Sequence, residues 1–224
     1  ALTSLYCNDN QLTNIDIAGA TALTYFNCYG NTITSLDVTL ATALIYLNCG
    51  VNQLTSLDVS QNTALTYLYC YDNQLTSIDA SGTPALESLI CINNQLTSLD
   101  VSQNTALTSL DCDNNNLFCL NVKNGNNSNF MNFAATSNPN LTCIEVDDVA
   151  YSDTTWTQLD PQSSFSTNCT NACSSIISIN ETALNIFELY PNPTTSIITL
   201  NNLQLGDEVS VYNTLGQRVY SSKV

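Results

Sequence analysis

The chain is dominated by a unit of 21 residues that occurs six times in succession. Its copies begin at Ala1, Ala22, Ala43, Ala64, Ala85 and Ala106. They share the template A-L-x-x-L-x-C-x-x-N-x-L-T-S-L-D-V-S-x-N-T. A fixed period in this range predicts a solenoid, in which each repeat is one unit stacked on its neighbours. Because no repeat shows the apolar spacing of a helix, we predict a body that is nearly all β.

Each repeat has two similar halves, as in residues 65–74 and 75–85, and both halves begin with the pattern L-x-x-L-x-small. We therefore predict two short strand-like segments in every coil and a second parallel ladder opposite the first. A row of asparagines can satisfy N–H and C=O groups of its own and the next coil. This row consists of Asn10, Asn31, Asn52, Asn73, Asn94 and Asn115.

Ten cysteines would suggest a disulfide framework, but six of them follow the repeat. These six are Cys7, Cys28, Cys49, Cys70, Cys91 and Cys112. Their template position points into the core, where a free thiol acts as a small apolar group. A zinc site would need paired cysteines or histidines, and the sequence has no histidine. We predict a core ladder of free thiols.

The motif L-x-x-L-x-C-x-x-N-x-L resembles the leucine-rich repeat signature. This resemblance implies a mainly β solenoid with a concave parallel sheet and, here, an extended convex side. We place it at residues 1–146 in seven coils, the last of which follows the polar insertion 123–129. Residues 147–173, with Trp156 and Phe165, are predicted to form a C-terminal cap.

Four cysteines lie outside the ladder, namely Cys119, Cys143, Cys169 and Cys173. Cys119 and Cys143 share a template position on neighbouring coils, which places their Cα atoms about 5 Å apart. The simplest pairing is therefore 119–143 with 169–173. The rival bond 143–169 would tie the cap to the last coil, and sequence alone does not choose between them.

A polar linker, residues 174–186, precedes a different C-terminal segment, residues 187–224. Its Tyr190-Pro191-Asn192-Pro193, the alternating strand that follows and Val211-Tyr212-Asn213-Thr214-Leu215-Gly216-Gln217 resemble the C-terminal sorting domain of Bacteroidetes type IX secretion. The resemblance implies a partial immunoglobulin-like β-sandwich, recognition by the outer-membrane export machinery, and a location at the cell surface or outside the cell. Later strands of that family are missing and the chain starts directly on a repeat, so we expect a fragment or a processed form.

The formal net charge is −16, and residues 1–122 contain no lysine or arginine. Such a surface repels phosphate backbones and anionic lipids, which argues against nucleic-acid and membrane-surface partners. No apolar run is long enough to span a bilayer. Without histidine, a G-x-S-x-G motif or an isolated carboxylate pair, the sequence predicts no enzyme.

Seven of the eleven tyrosines fall on outward positions of the predicted concave sheet. They are Tyr6, Tyr25, Tyr29, Tyr46, Tyr67, Tyr69 and Tyr71. Exposed aromatic side chains among short polar groups suit a protein or glycan ligand. Tyrosine also favours strands and stacks across neighbouring ones, so a packing ladder without a ligand is the alternative.

Two further rows suggest other roles. An acidic row is formed by Asp16, Asp37, Asp58, Asp79 and Asp100. Its carboxylates either bind a cation such as Ca²⁺ or accept hydrogen bonds from their own turns. Beside it lies a hydroxyl row, Thr13, Thr34, Thr55, Thr76 and Thr97 with Ser35, Ser56, Ser77 and Ser98. That row resembles some ice-binding faces, although threonine and serine also suit tight turns.

Asp153-Thr154-Thr155 resembles a short O-glycosylation motif of exported Bacteroidetes proteins, with Thr154 as the acceptor. Taken together, the sequence predicts an exported binding or adhesion protein that recognises protein or glycan through its concave face. The alternatives are a solenoid that stacks into an extracellular filament and a cation- or ice-binding solenoid. No cofactor is expected apart from Ca²⁺ at the acidic row.

Overall fold

The computed structural model describes residues 1–170, Cys173 and the strands Glu208–Tyr212 and Arg218–Lys223. The chain divides into two compact units, Ala1–Ser175 and Ile176–Val224. Among the described residues, no helix is long and apolar enough to cross a membrane. The first unit is a parallel β-solenoid, which confirms the predicted fold class.

The larger sheet of the solenoid contains eight parallel strands in the order β1-β2-β3-β4-β5-β7-β9-β11. Their bounds are Ser4–Tyr6, Tyr25–Asn27, Tyr46–Asn48, Tyr67–Tyr69, Ser88–Ile90, Ser109–Asp111, Asn132–Ala135 and Gln158–Leu159. Tyr46 pairs with Tyr67 and Leu47 with Leu68, so equivalent template positions lie side by side. The repeat therefore sets the register of this sheet.

The smaller sheet contains β6 (Ser98–Asp100), β8 (Cys119–Asn121), β10 (Cys143–Glu145) and β12 (Ser164–Ser166). In the first four coils, the only corresponding pairing is an isolated bridge between residues 58 and 79. The prediction of a second strand in every coil is therefore wrong for these coils.

The burial of the apolar side chain at this template position changes together with the strand pairing. Leu57 and Ile78 each retain 7% exposure, whereas Leu99 and Leu120 retain 1%. Val101 and Val122 donate backbone hydrogen bonds to the next coil, to Asn121 and Glu145. The continuous second ladder therefore begins only at the fifth coil, with β6.

The repeated cysteines line the interior of the solenoid. Cys28, Cys49, Cys70, Cys91 and Cys112 are buried free thiols, and Cys7 in the first coil is half-buried. Burial raises the pKa of the Cys70 thiol to about 12. These groups therefore stay neutral at physiological pH and act as small apolar side chains.

The asparagine row connects consecutive coils through buried amides. The Asn73 Nδ2 group donates to the carbonyl oxygens of Cys70 and Cys49, both at 3.1 Å. Its Oδ1 atom accepts from the Leu54 N–H at 2.9 Å. One side chain thus satisfies backbone groups of its own coil and of the preceding coil. The same pattern recurs at Asn31, Asn52, Asn94, Asn115 and Asn138.

One position in each coil adopts the left-handed conformation next to this asparagine. It is occupied by Asp9, Gly30, Val51, Asp72, Asn93, Asn114 and Ser137. Asparagine, aspartate and glycine tolerate positive φ, whereas a β-branched side chain does not. Val51 is the one β-branched residue in this row, and its φ of 51° is therefore strained.

The predicted cap continues both sheets and closes the core with aromatic side chains. Its helix α1, Val149–Thr155, begins after Asp148, whose carboxylate accepts from the N–H groups of Ala150 and Tyr151. The Trp156 ring stacks on Phe133 with 4.3 Å between centroids. Segment 147–173 also supplies β11 and β12, so the strand ladders extend beyond the seven predicted coils.

The disulfides join Cys119 to Cys173 and Cys143 to Cys169. The rival bond 143–169 is therefore present, whereas the geometrically simplest pairing, 119–143 with 169–173, is wrong. Cys119 and Cys143 do occupy equivalent places in the adjacent strands β8 and β10. Side chains at such places project in parallel rather than towards each other, and each sulfur instead meets one from the segment after β12.

In the second unit, the described strands β13 (Glu208–Tyr212) and β14 (Arg218–Lys223) form an antiparallel pair. The predicted strand at residues 209–212 falls within β13. The predicted strand at residues 197–200, the turns around it and the remainder of the β-sandwich lie outside the described residues.

We expect Asn73→Ala to lower the free energy of unfolding by about 2–4 kcal/mol, because it leaves buried N–H and C=O groups without partners. Asn10→Ala provides a matched control, since Asn10 is exposed and bonds only within its own coil. Urea unfolding of both variants measures the difference. Equal losses would contradict the inter-coil role of the row.

We expect Val51→Asn to raise the free energy of unfolding by about 1 kcal/mol, because it relieves a β-branched residue at positive φ. Val51 is 36% exposed, and the apolar burial that is lost with asparagine works against this gain. Ile45→Asn removes a similarly exposed side chain at a residue outside the positive-φ row. Thermal melts should show a gain for Val51→Asn alone, and a gain in both variants would refute the strain at Val51.

Candidate ligand-binding site

The candidate site lies on the outer surface of the first four strands of the larger sheet. Tyr25, Tyr46 and Tyr67 are direct partners in neighbouring strands. The residues that follow them, including Phe26 and Leu47, point inward and are fully buried. Because successive side chains of a strand point to opposite faces, each tyrosine points outward while the next residue packs in the core.

Five of the predicted tyrosines form one continuous cluster, hereafter the tyrosine face. The rings of Tyr25 and Tyr46 stack at 4.2 Å with 2° between their planes, and Tyr6 stacks on Tyr25 at 4.8 Å. Tyr69 meets Tyr46 edge-on at 5.5 Å, while Tyr67 lies 6.2 Å from it. A tyrosine can therefore stack on its neighbour and still be accessible to a ligand, as Tyr6 does with 63% of its surface exposed.

The other two predicted tyrosines, Tyr29 and Tyr71, form a tilted pair 6.0 Å apart, although they are two coils apart in sequence. Gly50 occupies the same template position in the coil between them. A Cβ atom at Gly50 would lie 2.8 Å from Cε1 of Tyr71. The pair therefore depends on a glycine that sequence reasoning missed, although the alignment of Tyr29, Gly50 and Tyr71 carried the signal.

Acidic side chains border these tyrosines. The Tyr67 hydroxyl donates to Oε2 of Glu87 at 3.3 Å, and the Glu87 charge raises the pKa of Tyr67. Burial is the largest cause that raises the pKa of Tyr71, and the nearby charges of Tyr29, Asp72 and Asp9 raise it further. Glu87 was not among the predicted site residues. The repeat template does not point to Glu87, because this position lies just before the strand and its residue type varies between repeats.

The acidic row has a structural role in the turns of the smaller-sheet side. Asp58 Oδ1 accepts from the Ser60 N–H at 2.9 Å, and Asp79 accepts in the same way from Ser81. Asp16, Asp37 and Asp100 repeat this contact. Backbone and side-chain hydrogen bonds from Ser60 lower the pKa of Asp58. In the described part of the chain, no three acidic or thiol groups converge as metal ligands, and Ca²⁺ binding stays a prediction.

The hydroxyl row and the glycosylation candidate are both accessible. Thr13, Thr34, Thr55, Thr76 and Thr97 are exposed. Thr154 is exposed on α1, and its hydroxyl donates to the carbonyl oxygens of Ala150 and Tyr151. Ice binding and O-glycosylation stay predictions.

Tyr46 provides a test of the packing within the tyrosine face. Burial and then contact with Tyr25 raise the pKa of Tyr46 to about 12. Its usual value is about 10, so the folded state holds this proton more strongly, and the resulting stability is lost as pH rises from about 10 to 12. We expect Tyr46→Phe to remove the highest-pH step of the phenolate absorbance titration. Urea-unfolded protein should lack this step, and its persistence in the variant would contradict the assignment.

Residues 188–224 match the family described as the secretion system C-terminal sorting domain. This match confirms the resemblance to the type IX sorting domain. It indicates export to the cell surface or the extracellular space, a location that suits the two disulfides.

The solenoid is similar to the functional domain of InlJ from Listeria monocytogenes, which includes a cysteine ladder. The identity is 33% and the TM-score 0.57, over 73% of this chain and 38% of the InlJ chain. The internalin inlF of Listeria monocytogenes matches at 26% identity and TM-score 0.55, over 66% of this chain and 48% of its own.

A leucine-rich repeat protein of Leptospira interrogans shares the fold at 21% identity and TM-score 0.52, over 74% of this chain and 43% of its own. No curated protein sequence matches the chain. The chain spans less than half of each of these three structures. It thus combines a solenoid like those of leucine-rich repeat proteins with a secretion sorting domain.

Proposed function

We propose that this chain is an exported binding protein that recognises an extracellular protein through its tyrosine face. The observation that supports this proposal is the continuous cluster of Tyr6, Tyr25, Tyr46, Tyr67 and Tyr69 on one accessible sheet surface. Tyrosine is enriched at interface hot spots, because it combines a large apolar ring with a hydroxyl.

The scaffold under the tyrosine face favours tight binding. Each three-residue strand pairs with its neighbours, and the side chains below it are fully buried. A tyrosine has only two rotatable side-chain angles, and stacking on a neighbour restricts them further. A partner would therefore meet a surface that is already ordered, which reduces the entropy lost on binding.

The chemistry of the described residues favours binding over catalysis. The sequence has no histidine, and the repeated aspartates are held by N–H groups of their own turns. The buried thiols are neutral, since burial raises their pKa. We therefore assign the chain a role in adhesion or recognition rather than in an enzymatic reaction.

The similarity to internalin structures and the sorting domain supports the same role. The sorting domain indicates export, and the internalin structures share the repeat architecture, in InlJ together with its cysteine ladder. Since the chain spans only 38% of the InlJ structure and 48% of the inlF structure, a ligand of the whole protein could also contact other segments.

The full chain can be tested against an array of extracellular proteins and, in parallel, an array of glycans. For a protein that binds, we expect Tyr25→Ala with Tyr46→Ala to weaken the affinity by at least ~30-fold, corresponding to two hot-spot side chains. Surface plasmon resonance measures the dissociation constants, and circular dichroism verifies that the variant is folded.

Thr34→Ala with Thr55→Ala is the matched control, because it also truncates two side chains in neighbouring coils but on the hydroxyl row. It should bind like the native chain. Unchanged affinity in the tyrosine variant would contradict the proposal. Tyrosine-dependent capture of glycans alone would replace the protein ligand by a carbohydrate.

A further inference from the structure

We propose that the partner presents arginine side chains, which stack on the tyrosines and pair with the carboxylates beside them. This inference rests on the proposed function and names the chemistry of its ligand. Its basis is the combination of aromatic rings, adjacent acidic groups and the absence of lysine and arginine from residues 1–122.

The first contact site consists of Tyr67 and Glu87. Tyr67 is 36% exposed, and its hydroxyl lies 3.3 Å from a carboxylate oxygen of Glu87. A guanidinium group over this ring would have an acceptor within reach of its N–H groups. Arginine can stack on an aromatic face and bind a carboxylate simultaneously, because its charge is spread over a planar group with several donors.

The second contact site follows four residues later in the same coil. Tyr71 and Tyr29 present two rings tilted against each other. The Tyr71 ring packs against Gly50, where any side chain would collide with it. Asp72 directly follows Tyr71 in the chain, and its Oδ1 accepts from Asn93 Nδ2 at 2.6 Å, while Asp9 Oδ2 accepts from Asn8 Nδ2 at 2.8 Å. Each carboxylate keeps a second oxygen for a guanidinium group, and both raise the pKa of Tyr71 after the larger effects of burial and Tyr29. This site combines two rings with carboxylates, without the direct hydrogen bond between hydroxyl and carboxylate found at Tyr67.

The charge of the solenoid strengthens both sites. The first lysine is Lys123, and its ammonium group is directed to the Thr167 carbonyl oxygen at 2.9 Å and towards Glu145. No lysine or arginine of residues 1–122 therefore competes for Glu87, Asp9 or Asp72. A basic partner would be attracted over several ångströms, whereas nucleic acid would be repelled. An uncharged sugar could stack on the rings but would make no ion pair with these carboxylates.

The probes are synthetic 12-residue peptides with four arginines separated by glycine and serine, and matched peptides with lysine or citrulline in their place. Citrulline keeps the planar shape of arginine without its charge. Binding to the full chain is measured by calorimetry at 0.15 M and 0.5 M NaCl. We expect the arginine peptide to bind at least ~5-fold more tightly than the lysine peptide, and the citrulline peptide more weakly than both.

Three variants locate the binding. Tyr67→Ala with Tyr71→Ala leaves the net charge unchanged and should weaken arginine-peptide binding by about 10-fold or more. Glu87→Gln should weaken it by about 3- to 10-fold, a range given by a charge-assisted hydrogen bond. Asp153→Asn removes the same charge from the exposed side of α1 and should change affinity less than about 2-fold, because charges farther away than the Debye length are screened.

Equal binding of arginine and lysine peptides, or full binding in the tyrosine variant, would overturn the inference. So would equal weakening by Glu87→Gln and Asp153→Asn, since net charge alone would then explain the attraction. A protein ligand without basic groups that still depends on Tyr25 and Tyr46 would overturn only the arginine assignment. Independence from the tyrosines in both experiments would overturn the proposed function as well.

Discussion

The solenoid depends on the buried asparagine amide that joins one coil to the preceding coil. At Asn73, three hydrogen bonds reach two backbone carbonyls and one N–H group in two successive coils. A coil of different length would displace these groups and leave buried polar atoms unpaired, which costs more than the loss of an exposed hydrogen bond. The single insertion, residues 123–129, is held by hydrogen bonds of its own: Asp147 accepts from Gly125 and Asn127 and donates its N–H to Asn127 Oδ1. The longer coil therefore keeps the asparagine row, and Asn138 makes the same bonds to two coils as Asn73.

Much of the solenoid could be predicted because every repeat constrains the others. The period places Leu65, Leu68 and Cys70 inward, and the structure buries all three completely. Features produced by contacts between distant parts of the chain were not accessible in this way. The disulfide partners of Cys119 and Cys143 come from the segment after β12, whose path over the smaller sheet has no repeat to define it. The prediction of a second ladder in every coil was wrong for a related reason. Half-repeats of similar sequence differ in the burial of their apolar side chains along the solenoid, and only the later ones pair as strands.

The candidate site shows the same division between what the repeat defines and what individual residues add. The register brings Tyr25, Tyr46 and Tyr67 together, and this proximity follows from the 21-residue spacing. The arrangement of their rings does not follow from it, because the stacking depends on unequal neighbours in each coil. Gly50 admits the Tyr71 ring, and Glu87 provides the acceptor for Tyr67. Departures from the template therefore give the face its chemical character.

The disulfide between Cys119 and Cys173 has a mechanical consequence. Its two cysteines are 54 positions apart in the sequence, and the bond joins β8 to Cys173, which directly precedes the linker to the sorting segment. Tension applied to the chain after Cys173 passes through the covalent sulfur bridge to β8 and bypasses the residues in between. The final coils and the aromatic cap are thereby shielded from being peeled away. If the protein is held by the chain that follows Cys173, a force that pulls on its bound partner reaches β8 through this disulfide. The hydrogen bonds of the last strands then do not bear that force.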